Sequence, residues 1–180
     1  VDEIVVVLGP DRPDVEAEIR SRHPEAGLVI QHERKGTAHA CMMASDVLSA
    51  GFDDVLVVFG DTPLVLPHTY QQMRSGLAGG AQVVALGFEA GNPQGYGRLI
   101  MSGDKLLAIR EHKDCSESER AITLCNAGLM ALDGAHVRNL LQGIDNHNSQ
   151  QEYYLTDAVA VAVAAGLQAR VVRAPEDEVM

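Results

Sequence analysis

The chain has 180 residues, about the length of one domain, and 46% of them are hydrophobic, which is enough for a packed core. Its formal net charge of −11 argues against a nucleic-acid partner, because the phosphate backbone would be repelled. The three cysteines form no CxxC pair and no run reaches about 20 apolar residues, so we expect a cytoplasmic protein without disulfides or a membrane span.

Strand and helix patterns alternate through the first half of the chain. Apolar runs predict strands at residues 4–8, 28–30, 55–59 and 82–88. Helical patterns lie between them, at residues 14–21, 36–48 and 68–77. Strands separated by helical crossovers predict an α/β fold, with a Rossmann-like, mostly parallel sheet and helices on both faces.

The pattern changes in the second half. Residues 98–101 and 106–110 read as two strands joined by a short polar turn, which predicts a small β-hairpin insertion. Beyond it we expect a strand at 125–131, a helix at 135–141, a helix opening at Thr156 and Asp157, and a strand at 169–173. The polar residues after 173 are expected to lie outside the ordered part.

Asp61 is the first candidate for a functional residue. An apolar run ends at Phe59 and Gly60, and the acid follows directly, two residues before Pro63. Ligands of open α/β sheets bind outside the carboxyl ends of the strands, where a carboxylate can hold a divalent metal and, through it, a phosphate. The alternative is that Asp61 only caps the turn at Pro63.

A second candidate site joins a strand to a helix at Gln31, Gly36 and Thr37. The start of a helix offers unpaired amides, and glycine lets a ligand approach the backbone closely. The Gln31 amide can read the edge of a base by paired hydrogen bonds. The alternative is an ordinary strand–loop–helix joint, and the Walker order GxxxxGK[ST] is absent.

Other polar residues in the second half are ambiguous when taken singly. Arg98 could be a surface arginine after a turn, and residues 111–114 could be a solvated charge cluster. Asn126 enters an apolar strand and must find a partner if buried, either a ligand hydroxyl or a backbone carbonyl. No GxSxG elbow or activated cysteine is evident, so the polar groups suit phosphoryl-type transfer rather than covalent catalysis.

The order of these segments is more specific than any one of them. The series QxxxxGTxHA, GDTPL, GYGR, EHKD, NAG and EYYLTD, spread over residues 4–157, resembles the uridylyltransferase domain of the bifunctional N-acetylglucosamine-1-phosphate uridylyltransferase/glucosamine-1-phosphate acetyltransferase family. The resemblance implies an enzyme that makes UDP-N-acetylglucosamine and pyrophosphate from UTP and N-acetylglucosamine 1-phosphate, for peptidoglycan and lipopolysaccharide synthesis.

The resemblance also implies roles for particular residues. Asp61 would coordinate Mg²⁺, with Phe59 and Gly60 lining the site. Uracil would be bound by Gln31, Gly36 and Thr37. The sugar side of the substrate would be met by Gly97, Glu111, Asn126 and Thr156.

The chain also departs from the family pattern. It lacks the LxAGxGTRM and PKxLxxxxGKP segments, a downstream EVxGxNxR segment and the acetyltransferase β-helix, and Phe59 replaces a tyrosine of some members. We therefore expect residues 1–180 to be a partial nucleotidyltransferase domain, incomplete at its N-terminus and weak or inactive alone. We expect a monomer, whereas the resemblance implies a homotrimer for the complete protein. The alternatives are a non-catalytic nucleotide-sugar-binding module or another sugar-nucleotide pyrophosphorylase of the same fold.

Overall fold

The computed structural model describes residues 1–179 and has an α/β architecture. Its strands are β1 (Val5–Leu8), β2 (Gly27–Ile30), β3 (Asp54–Val57), β4 (Val83–Glu89), β5 (Arg98–Ser102), β6 (Lys105–Arg110), β7 (Leu124–Asp133) and β8 (Ala169–Arg173). Its α-helices are α1 (Pro13–Arg22), α2 (Thr37–Met43), α3 (Ser45–Leu48), α4 (Pro67–Ala78), α5 (Glu117–Arg120), α6 (Val137–Gln142), α7 (Ala158–Ala164) and α8 (Glu176–Val179). Within residues 1–179, no helix has both the length and the apolar character needed to cross a bilayer.

The strands form two hydrogen-bonded sheets. β1 and β2 pair in parallel by themselves, whereas the larger sheet has the order β6-β5-β7-β4-β8. Strand β7 is ten residues long, and two other strands pair with the same edge of it. Its start pairs with β5 at Cys125, and its end pairs with β3 from Met130 to Asp133. Since β3, β4 and β8 share one direction and β7 runs against them, the larger sheet is mixed.

The larger sheet is apolar on both faces. Along β4, Val83 and Ala85 face one core cluster, which also contains residues of α6 and α7. Val84 and Leu86 face the other cluster, which includes Met73 of α4. A strand covered on both faces needs a continuous apolar run rather than an alternating one, which is the pattern seen in the sequence. The predicted α/β class, with helices on both faces and a β5–β6 hairpin, is confirmed.

Two elements differ from the sequence-based expectation. The helix predicted at 36–48 is divided at Ala44 into α2 and α3. The end of the chain, expected to be irregular, carries α8, which buries the Glu178 side chain. The Glu178 carboxylate accepts hydrogen bonds from the Thr69 hydroxyl at 2.7 Å and the Leu66 amide at 3.4 Å, at the start of α4. These partners are distant in sequence, so no local pattern could indicate them.

Candidate functional site

The Gln31 side chain folds back on the start of α2. Its Nε2 atom lies 3.1 Å from the Gly36 carbonyl oxygen and 2.9 Å from Nδ1 of His39. Gly36 has φ of +108°, and a Cβ at this position would lie 2.4 Å from the Tyr153 carbonyl oxygen. Glycine is therefore required here by the Tyr153 backbone, a structural reason that differs from the ligand approach suggested by the sequence.

The segment around Tyr153 is joined to the start of α2 by hydrogen bonds. The Ala38 amide donates to the Tyr153 carbonyl at 2.9 Å, and the Leu155 amide donates to the Thr37 hydroxyl oxygen at 2.9 Å. Thr37 keeps its own O–H as a donor. These bonds hold the Gln31–Thr37 loop beside Thr156, which follows Leu155, so the two predicted halves of the site are neighbours.

The remaining predicted sugar residues form a connected group. The backbone N–H of Asn126 donates to the Gly97 carbonyl at 2.8 Å, and the Thr156 hydroxyl donates to Oε1 of Glu111 at 3.0 Å. A Cβ on Gly97 would lie 3.4 Å from Glu111 Oε1, so a larger residue would crowd that carboxylate. The fold thus brings together four residues that lie on β7, in the turn before α7 and at the two ends of the β5–β6 hairpin.

Asn126 contains an unpaired polar atom. The residue is only 9% exposed, and its Oδ1 is buried without a hydrogen-bond partner among residues 1–179. A buried acceptor without a donor costs about 1–3 kcal/mol, so such atoms are uncommon unless a ligand completes them. The structure provides no protein donor for Oδ1, which favours a ligand hydroxyl or amide N–H as its partner.

Acidic side chains adjoin this group. Burial raises the pKa of Glu111, an effect that the Thr156 hydrogen bond opposes and the charge of Asp114 reinforces. Burial, followed by the charges of Asp145 and Glu111, raises the pKa of Asp157 to about 6. A cavity of about 320 Å³ is lined by Glu111 and Asp157 but not by Thr156. It therefore lies next to the predicted sugar-binding residues.

Arg98 is buried, which corrects the surface position suggested by the sequence. It is 1% exposed, because its strand pairs with β7 opposite Cys125. Its guanidinium donates to the Tyr96 carbonyl, lies 3.4 Å from His112 Nδ1 and donates to the Arg120 carbonyl at 3.5 Å. Arg98 therefore stabilises the loop that precedes it through hydrogen bonds. No local sequence motif indicated this role.

Asp61 lies in the turn after β3 and is exposed. Within residues 1–179 its carboxylate makes no hydrogen bond or ion pair. The neighbouring Thr62 donates from its hydroxyl to the Phe59 carbonyl at 3.1 Å. The alternative role of Asp61 as a turn cap is therefore wrong. Phe59 packs against Gly128 of β7, where a Cβ would lie 3.0 Å from the ring, and open space surrounds Gly60.

The donor set around Asp61 limits the kind of metal site. No group of three or more His, Cys, Asp or Glu side chains suited to a metal occurs in the described part of the chain. A single free carboxylate fits Mg²⁺ when substrate phosphates and water supply the other ligands, which is a usual mode for this ion. Asp61 thus fits a metal shared with a phosphate and not a metal held by protein alone.

The fold is α/β and is consistent with the Rossmann-like fold of nucleotidyltransferases. The chain is 52% identical over 176 residues to the bifunctional protein GlmU of Bradyrhizobium sp. (strain ORS 278), covering 98% of this chain. It is 56% identical over 174 residues to the same-named protein of Xanthobacter autotrophicus, and 47% identical over 178 residues to that of Sinorhizobium medicae. No protein-family model matches.

These comparisons confirm the family resemblance, and the chain belongs with the bifunctional GlmU proteins. It spans 39% of the length of each of these relatives.

Proposed function

We propose that the chain takes part in uridylyl transfer, in which UTP and N-acetylglucosamine 1-phosphate give UDP-N-acetylglucosamine and pyrophosphate. The observation that carries the proposal is the buried Oδ1 of Asn126, which lacks a donor. The similarity to the GlmU proteins over nearly the whole chain supports it. As in the family, the product would serve peptidoglycan and lipopolysaccharide synthesis.

The predicted sugar-binding residues are rich in hydrogen-bond acceptors. Asn126 Oδ1 can only accept, and the Glu111 carboxylate can only accept when it is ionised. A ligand that suits them must bring donors, as the hydroxyls and acetamido N–H of N-acetylglucosamine do. Gly97 leaves room beside Glu111, and Thr156 orients that carboxylate through its hydrogen bond of 3.0 Å.

The nucleotide half consists of Gln31, Gly36 and Thr37, with Asp61 near the phosphates. A Mg²⁺ ion bound to Asp61 and the triphosphate would neutralise charge on the reacting phosphate groups. Phe59 and Gly60 would line the same region. The sugar phosphate oxygen attacks the α-phosphorus of UTP, the bond to the β-phosphate oxygen breaks, and pyrophosphate leaves with both bonding electrons. In-line positioning by the two halves supplies the remaining acceleration.

The proposal is tested by calorimetric binding of UTP, with and without Mg²⁺, and of N-acetylglucosamine 1-phosphate, followed by a pyrophosphate-release assay. Asp61→Asn is compared with Asp104→Asn, which makes the same charge change in the exposed β5–β6 turn. We expect Asp61→Asn to abolish most of the Mg²⁺-dependent gain in UTP affinity, roughly tenfold or more, because a charge-assisted contact is lost.

Different results separate the competing functions. An equal Mg²⁺ effect in both variants would remove Asp61 from the metal site. Pyrophosphate release that requires Mg²⁺, even at a slow rate, would favour the enzyme over the non-catalytic binding module, because residues 1–180 are expected to be weak or inactive alone. Failure of the chain to bind either ligand would contradict the proposed function.

A further inference from the structure

We propose that His39 sets the base specificity of the nucleotide site, because it occupies the second N–H of the Gln31 amide and leaves only the carbonyl oxygen for the base. This inference rests on the proposed function, in which Gln31 contacts the base. It adds His39 as a residue that acts through Gln31. It also specifies that the Gln31 amide accepts a hydrogen bond from the base. Two contacts of the Gln31 amide, and the atom that they leave free, carry the proposal.

The first contact fixes which way the amide faces. A backbone carbonyl oxygen can only accept a hydrogen bond, so the Gln31 atom that lies 3.1 Å from the Gly36 oxygen must be the amide nitrogen. An amide rotated by half a turn would place two carbonyl oxygens against each other. The Gly36 oxygen is itself held in place, because Gly36 is packed against the Tyr153 backbone.

The second contact uses the other hydrogen of the same nitrogen. Nε2 of Gln31 lies 2.9 Å from Nδ1 of His39, so Nδ1 must accept. The imidazole is then neutral, with its proton on the other ring nitrogen. His39 is partly buried on α2, and its ring lies 6.4 Å from that of Tyr153, centroid to centroid.

The atom of the Gln31 amide that remains for a ligand is Oε1. Both N–H donors of Gln31 are used, and no donor within residues 1–179 reaches its Oε1 atom. The side chain is only partly buried, so a ligand can approach it. An amide that can only accept pairs with the N3–H of uracil. It opposes the unprotonated N3 of cytosine, which presents a lone pair. Thymine also carries N3–H, so His39 is not expected to separate uridine from thymidine.

The test measures the ratio of UTP to CTP affinity by calorimetry, for the chain and for three variants. The unaltered chain should prefer UTP by roughly tenfold or more, the worth of one good hydrogen bond and one avoided repulsion. His39→Phe keeps a ring but removes the acceptor of the second N–H of Gln31. That N–H is then free to donate to a base acceptor such as the N3 of cytosine, so the ratio should fall. His39→Asn places an oxygen near the position of Nδ1 and should keep the preference. His39→Gln places its oxygen farther out and should lose it.

Two measurements on the unaltered chain do not depend on how the variants fold. UTP methylated at N3 lacks the donor and should bind roughly tenfold more weakly than UTP. Nitrogen-15 NMR of the ligand-free protein should show His39 with its proton on Nε2.

The outcomes separate this inference from the proposed function. A UTP preference that survives in His39→Phe would overturn the role of His39 and leave the uridine assignment standing. Equal binding of UTP and its N3-methyl form would overturn the acceptor-only reading of Gln31. If the unaltered chain shows no preference for UTP over CTP, the proposed function and this inference both fail.

Discussion

Asp157 should make the protein less stable as the pH rises through the mildly acidic range. This residue ends the 3₁₀ turn Leu155–Asp157, directly before α7. Burial raises its pKa from 3.8 to about 6, and the nearby acids Asp145, Glu111 and Asp114 add to the effect, whereas Arg110 opposes it. Asp157→Asn removes the ionisable group while keeping the side-chain shape.

The sign follows from proton binding in the two states. Between the ordinary pKa of 3.8 and the folded pKa of about 6, folded Asp157 holds a proton that the unfolded chain has released. The free energy of unfolding therefore falls as the pH rises through this window. At about 1.36 kcal/mol per pKa unit the full effect would be about 3 kcal/mol. Asp157 is partly exposed, so solvent screening reduces our expectation to about 1 kcal/mol.

The assay is urea unfolding from about pH 4 to about pH 8, which brackets both pKa values. Below the window, Asp157→Asn and the unaltered chain should have similar stability. Above the window, Asp157→Asn should be more stable by about 1 kcal/mol. Asp104→Asn, which removes one exposed charge from the β5–β6 turn, is the control. A gain that does not change with pH, or one that appears equally in the control, would refute the reasoning.

Two further predictions concern the backbone at Gly36 and the hydrogen bond between Thr69 and Glu178. Gly36→Ala should destabilise the chain by at least about 2 kcal/mol in urea unfolding, because a Cβ would lie 2.4 Å from the Tyr153 oxygen at φ of +108°. Gly51→Ala, at φ of +84° with no neighbour within 4 Å, should cost less, and equal losses would show that the clash is not the cause. Thr69→Val should cost about 2 kcal/mol at neutral pH, because it removes the 2.7 Å hydrogen bond to Glu178. This loss should shrink when Glu178→Gln is already present, and an unchanged loss in that background would contradict the assignment.

Local patterns in the sequence predicted most of the elements. Strand β8 has the predicted bounds, Ala169–Arg173, and both strands of the hairpin agree to within one residue. Helical patterns between the strands predicted helices on both faces of the sheet, which β4 confirms with its two core clusters. The pattern did not reveal that β3 and β5 both pair with the same edge of β7, because strand pairing is set by contacts between distant segments.

The candidate site was also visible in part. Single-residue signals marked Asp61, which follows a strand, and Asn126, which enters an apolar run. The structure contradicts the turn-cap role for Asp61, because its carboxylate makes no hydrogen bond within residues 1–179, whereas the neighbouring Thr62 does. It also shows that the Asn126 Oδ1 has no donor in the described part of the chain. The metal, the base and the sugar assigned to these residues stay proposals.

The sequence by itself determined most of the element order, the family and the positions that carry polar groups at strand ends. Only the tertiary structure decided what those groups do for one another. It placed Tyr153 against Gly36, buried Arg98 opposite Cys125, and put His39 on the Gln31 amide. The physical reason is that the burial and hydrogen bonding of a polar group depend on residues that are near in space, and many of these are distant along the chain.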